Sequence, residues 1–179
     1  MPAYSGRTAV DGKERPGLHA PVCSGGHTEM IREAAPVQVQ SNWKGGRKET
    51  LEVVAPVSNL GAGPLISTGI PSIRKMWLEV SILDGSTVAA TQPRPFVLEL
   101  LDGARKPAMP WDVVRIGKDT RIGPKKIGVK QFSFKLANAT NVRVEAKRLE
   151  RLVSEQAARY AGVPAAPAMP MAEAAAAAP

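Results

Sequence analysis

The stretch KMWLEVSIL at residues 75–83, followed by DGST at 84–87 and TVAAT at 87–91, decides the fold class. Met76, Leu78, Val80 and Ile82 alternate with Lys75, Trp77, Glu79, Ser81 and Leu83, the period of two that marks a strand with one buried face. Asp84 and Gly85 tolerate positive φ, so DGST predicts a tight turn that brings TVAAT back as the second strand of a hairpin.

The same alternation recurs on both sides. PVQVQSNW (36–43) places Val37 and Val39 on one face, with Trp43 after a break, and the Gly pair at 45 and 46 turns the chain into ETLEVVAPVSN (49–59). There Leu51, Val53 and Ala55 share a face, a second hairpin is predicted, and Pro56, which has no N–H, predicts a bulge or an edge position. Residues 59–74 are punctuated by Gly and Pro and read as an ordered loop. Further on, FVLELL (96–101) is compatible with a short strand, and PAMPWDVVRI (107–116) and RIGPKKIG (121–128) are rich in loop signals. VKQFSFKL (129–136) opposes Phe132, Phe134 and Leu136 to Val129, Gln131, Ser133 and Lys135. NATN (138–141) predicts a turn into NVRVEAKRL, where Val142, Val144 and Ala146 face one way.

Two segments have helical spacing. Thr28 is a candidate cap for a short helix over EMIREA (29–34), stopped by Pro36. RLVSEQAARYAG (151–162) sets Leu152, Ala157 and Tyr160 among polar residues and ends at Gly162 with Pro164 beyond. Strands separated by turns, with no βαβ rhythm, predict a mostly β protein, an antiparallel β-sandwich of six or seven strands. The expected organisation is a flexible segment over 1–26, the sandwich over 27–163 and a disordered Ala/Pro tail over 164–179, assigned by composition.

A chain of 179 residues with 44% apolar content is long enough for one packed domain. With three Trp, two Tyr and three Phe, its core is built mainly from Val, Leu and Ile. The 24 Lys and Arg outnumber 16 Asp and Glu to give +8, which suits acidic partners. The basic residues are scattered over turns and strand ends and are not interleaved with aromatics in sequence, so a solvated basic surface is the plainer reading and a nucleic-acid partner is disfavoured. A single cysteine, Cys23, excludes an intrachain disulfide and a multi-cysteine zinc site. No apolar run reaches the length of a membrane span, and the N-terminus has no hydrophobic signal core.

Cys23, His27 and His19 form the one cluster of soft or imidazole ligands. Covalent haem attachment needs C-x-x-C-H, and C-S-G-G-H lacks the second thiol and sets its His four residues on. A Cys–His nucleophilic pair has no recognisable orienting Asn or Asp, and an inert loop is the alternative. GAGPLISTG (61–69) lacks the Lys-Ser/Thr of a phosphate loop and leads into a strand, so it reads as a turn. Asp112, Asp119 and Arg121 suggest surface ion pairs, and no two carboxylates stand out as a general acid and base. The expectation is therefore a protein that is not an enzyme.

The order of segments GGHTEMIREAAPVQV, VSNLGAGPLISTGIPSIRKMWLEVSILDG, KDTRIGPK, QFSFKL and VRVEAKRLERLVSEQAARYAG resembles the C-terminal β domain of multihaem c-type cytochromes, over about residues 19–163. In that family the stretch matching GAGPLISTG carries a His, which here is Pro64, and a Pro, which here is Ser67. The resemblance implies that His27, and less directly His19, serves as an axial ligand to haem iron. With no C-x-x-C-H in the chain, it further implies that haem c is held by a partner cytochrome polypeptide or by a missing N-terminal part. A periplasmic or extracellular electron-transport setting follows from the same resemblance. A cofactor-free β-sandwich scaffold or adhesion protein is the competing expectation.

Overall fold

Strand β5 (Lys75–Asp84) buries Met76, Leu78, Val80 and Ile82, the four residues its alternation points inward. In the computed structural model, which describes residues 3–7, 11–19, 35–45, 49–60, 65–66, 73–136 and 140–179, this strand is the axis of the first sheet. A tight turn with Gly85 at φ +62° returns the chain as β6 (Thr87–Phe96). Ala89 is an extra residue in that ladder, since Ile82 pairs with Ala90 and Leu83 with Val88. The other edge of β5 takes β10 (Val142–Arg151) in unbroken antiparallel register, and β11 (Met169–Ala177) pairs outside β10.

The second sheet has the order β3 (Gln40–Lys44), β4 (Thr50–Asn59), β9 (Lys126–Lys135), all antiparallel. Leu51, Val53, Ala55, Val57, Phe132 and Phe134 from this sheet meet Leu78, Val80, Ile82, Val144 and Ala146 from the first in a single core. Burying each large aliphatic or aromatic side chain here stabilises the fold by about 1.5–3 kcal/mol. The seven strands of these two layers form the predicted antiparallel sandwich. The described residues add a two-stranded pair, β1 (Ala3–Gly6) with β2 (Arg15–His19), and another, β7 (Leu98–Leu101) with β8 (Arg115–Asp119). A 3-10 turn over Pro110–Asp112 and helix α1 (Glu155–Ala161) complete the described elements. Helix α1 starts on Ser154, whose Oγ accepts from the Ala157 amide at 3.2 Å, and stops at Gly162 with φ +68°.

Four expectations need correction. The ladder between β4 and β9 runs through Pro56 without a bulge, pairing Pro56 with Val129. Pro56 is tolerated because its oxygen, and hence its nitrogen, faces the 36–38 segment, where the Gln38 amide donates to Pro56 O at 3.0 Å. The NATN segment does not close a hairpin either: β9 pairs with β4 and β10 with β5 and β11, so the chain crosses from one sheet to the other. An inward-facing alternation is the same for both routes, and only the partner strands distinguish them.

The tail is the third. Residues 169–177, read as part of a disordered segment, form edge strand β11, with Met171 buried and Ala172, Ala174 and Ala178 packed on the core. Met171 is the extra residue of a bulge, since Arg148 pairs with Ala172 and Leu149 with Pro170. Small side chains suit a strand that caps the edge of a closed core, and Pro170 is acceptable at an edge. The Trp43 Nε1–H then donates to Pro179 O at 2.9 Å, tying the chain end to the opposite sheet. The fourth concerns residues 1–26, which include the β1–β2 pair among their described residues. The helix expected over EMIREA lies outside the described residues.

Candidate interaction surface

Residues 97–121 leave the sandwich as an arm. The Val97 amide donates to Thr120 Oγ1 at 2.9 Å and the Thr120 amide to Val97 O at 2.8 Å, so the arm's two ends are stapled where it departs. Glu99 Oε2 accepts from the Lys118 amide at 3.0 Å. Gly117 makes this approach possible, since a Cβ there would lie 2.8 Å from Glu99 Oε2 and 2.9 Å from Leu101 Cδ1. At the far turn Asp102 Oδ1 accepts from the Ala104 and Lys106 amides, both at 2.8 Å, and Arg105 takes φ +62°.

Between this arm, α1 and the start of β5 lies a cleft of about 590 Å³. Pro95, Val97, Leu98 and Leu100 give it an apolar lining, while Arg74, Lys75, Arg105 and Arg159 bring cations to it alongside Glu99 and Glu155. The Ser154 amide donates to Ile73 O at 2.6 Å and anchors the helix start against the β5 entry. Glu155 pairs with Lys75 at 3.3 Å and with Arg151. Its carboxyl lies below the usual range, first through its own backbone amide and then through Lys75 and Arg151.

Trp111 and Tyr160 join the arm to α1, with ring centroids 4.9 Å apart and planes at 54°. A tilted ring pair is ordinary in a core; here the two residues are 57% and 66% exposed. Val114 and Ile116 on the arm and Val163 after the helix are also at least half exposed. Single exposed apolar residues need no explanation, but two aromatic rings held against each other in solvent next to an apolar cleft have the character of an interface anchor.

The residues singled out from sequence sit elsewhere. His27 and Cys23 lie outside the described residues, and of His19 the structure gives the backbone, at the end of β2 opposite Ala3. Of GAGPLISTG only Leu65 and Ile66 are described, and Ile66 exchanges backbone hydrogen bonds with Ile122. The Asp119–Arg121 ion pair forms, with Arg121 Nη2 donating at 2.8 Å and Nε at 3.0 Å; Arg121 holds the Asp119 carboxyl below its usual range. No group of three or more His, Cys, Asp and Glu that would hold a metal occurs among the described residues. Nor, among them, is any helix long and apolar enough to cross a membrane. Sequence reading had no signal for Trp111, in a Pro-rich loop; of Leu152, Ala157 and Tyr160, the apolar residues set at helical spacing, Ala157 is buried, with Ala158 beside it, and Tyr160 stands exposed.

The scattered basic residues also acquire neighbours in space that their sequence positions do not show. Lys75 Nζ lies 5.7 Å from the centroid of the Trp77 ring, as does Arg151 Cζ, Arg94 Cζ lies 5.1 Å from Phe132 and Lys130 Nζ 4.6 Å from Phe96.

No protein-family profile matches the chain, and no curated protein matches it. Among solved structures it is similar to a penta-heme cytochrome c552 from Thermochromatium tepidum, with a TM-score of 0.70 and 19% identity over 86% of this chain and 42% of that one. This chain thus spans less than half of the cytochrome's length. The CARDB domain of a Pyrococcus furiosus protein also matches, with a TM-score of 0.34 and 17% identity over 64% of this chain and 73% of that one. The same domain in complex with di-metal ions gives 0.37 and 15% over 80% and 91%. At that level of superposition the CARDB matches carry no argument. The antiparallel sandwich is therefore a fold that also occurs within a multihaem cytochrome chain.

Proposed function

We propose that this chain is a non-catalytic module that packs on a haem-bearing cytochrome polypeptide in an electron-transfer assembly, presenting the arm and α1 to that partner. The observation that carries the reading is the fold match over 86% of this chain to a part of a penta-heme cytochrome, whose remaining length has no counterpart here. The exposed Trp111–Tyr160 pair supports it, since aromatic anchors beside an apolar cleft are the usual centre of a protein interface. Haem c is held in this reading by the partner or by a further N-terminal part of the polypeptide, because no C-x-x-C-H occurs in this sequence. His27 offers its imidazole to an iron there, with His19 as the second candidate, and the setting is periplasmic or extracellular.

Co-expression with a polypeptide of the same genome that carries several C-x-x-C-H motifs tests the proposal. Co-elution with haem absorption is expected, and a changed haem spectrum in His27→Ala is expected from the ligand role. An unchanged spectrum in that variant removes the ligand role; elution of this chain alone removes the packing role and leaves a cofactor-free scaffold.

A further inference from the structure

On the side of the sandwich where β6 and β9 approach each other, Gln92 Nε2 donates to Ser133 O at 2.9 Å and Lys130 Nζ to Pro95 O at 3.4 Å. Lys130 and Arg94 point to the inner side of their strands and lie over Phe96 and Phe132 at the margin of the core. Beside them is a hollow of about 260 Å³ whose walls carry Arg121, Lys126 and Lys130 and no carboxylate. Asp119 neutralises Arg121, but no ion pair engages Lys126, Lys130, Lys118 or Arg94 among the described residues. Burial, together with the charges of Lys118 and Arg94, pulls the Lys130 ammonium below its ordinary pKa. Blunting two sheet edges and covering two rings explains why cations stand here. Backbone oxygens and ring faces hold Lys130 and Arg94, but among the described residues no carboxylate pairs with them to offset the mutual repulsion.

We propose that this seam is a binding site for a small, multiply charged oxyanion of the phosphate type, seated against Lys130 in the hollow beside Lys126 and flanked by Lys118 and Arg94. The ammonium groups supply charge-assisted hydrogen bonds to it. The site lies at the base of the arm and includes neither α1 nor the Trp111–Tyr160 pair, so it stands whether or not the chain packs on a haem protein.

The test is a titration of the purified full chain with inorganic phosphate against chloride at matched ionic strength, read as melting temperature and as the NMR shift of the Lys130 ammonium. Saturable binding of phosphate is expected. Lys130→Met, which keeps an apolar stem over Phe96, is expected to weaken it about tenfold, the cost of one hydrogen bond to a charged group. Lys118→Gln, a change on the exposed arm, is expected to weaken it by a smaller factor without changing the fold. A glutamate-rich peptide that binds at Lys130 more tightly than phosphate overturns the proposal in favour of a carboxylate ligand, and one that binds more weakly supports it. Equal responses to phosphate and chloride, or wild-type phosphate affinity in both variants, overturn the proposal.

Discussion

Strand β5 and the β7–β8 arm are separated in the chain by β6 alone and differ in how they are covered. β5 has a hydrogen-bonded strand on each edge and a second sheet across one face, and its Leu78, Val80 and Ile82 are fully buried. The arm has two strands with no second sheet across them among the described residues, and Val114 and Ile116 stand 70% and 63% exposed. A two-stranded ribbon is marginal in water by itself, so the arm persists through its staples at Val97–Thr120 and Glu99–Lys118. The same alphabet of residues therefore has two fates: between the sheets it supplies stability, and on the arm it leaves apolar side chains in solvent.

The contrast is broken most strongly in the core. Leu78→Ala is expected to cost about 2–5 kcal/mol in urea unfolding, because the site is closed on all sides and cannot collapse. Truncation after Ala168 removes β11 and is expected to cost at least the burial of Met171, about 1.5–3 kcal/mol, in the same assay; an unchanged midpoint contradicts the place given to the tail. Ser154→Ala removes the cap of α1 and is expected to cost about 0.5–2 kcal/mol. Trp111→Ala removes the ring contact with Tyr160 and is expected to cost about 0.5–1.5 kcal/mol, leaving the fold intact while weakening partner binding.

Acidification gives the smallest effect and sharpens the contrast on the arm. Arg121 lowers the Asp119 pKa on folding, so this pair's contribution is complete above the unfolded value of about 3.9 and is lost as pH falls through the lower folded value. Proteolysis of the arm below that pH should be faster in the native sequence than at neutral pH, and Asp119→Asn should abolish the difference.

Which of these regions the sequence revealed follows from how each is held. The period-two runs of β4, β5, β9 and β10 were legible because one face of each meets an apolar layer, and α1 was legible from Gly162 and Pro164. What alternation does not encode is the partner: the crossing from β9 to β10 and the central position of Pro56 depend on strands far away in sequence. The run of alanines in β11 has a weak strand signal, and it is ordered by an edge of β10 that no local pattern announces. The arm's surface was hidden for a related reason, since Trp111 and Tyr160 are 49 residues apart and their meeting is a property of the fold. His27 was singled out from a resemblance, and it is the proposal that depends most on a partner.

The most direct test of the account is gel filtration of the full chain co-expressed with a multihaem c-type cytochrome polypeptide of the same genome, monitored at the haem Soret band. Co-elution of this chain with the haem absorption, lost in Trp111→Ala although the variant remains folded, is the predicted result. Elution of the native chain apart from the haem protein, with that protein itself properly loaded, would contradict it.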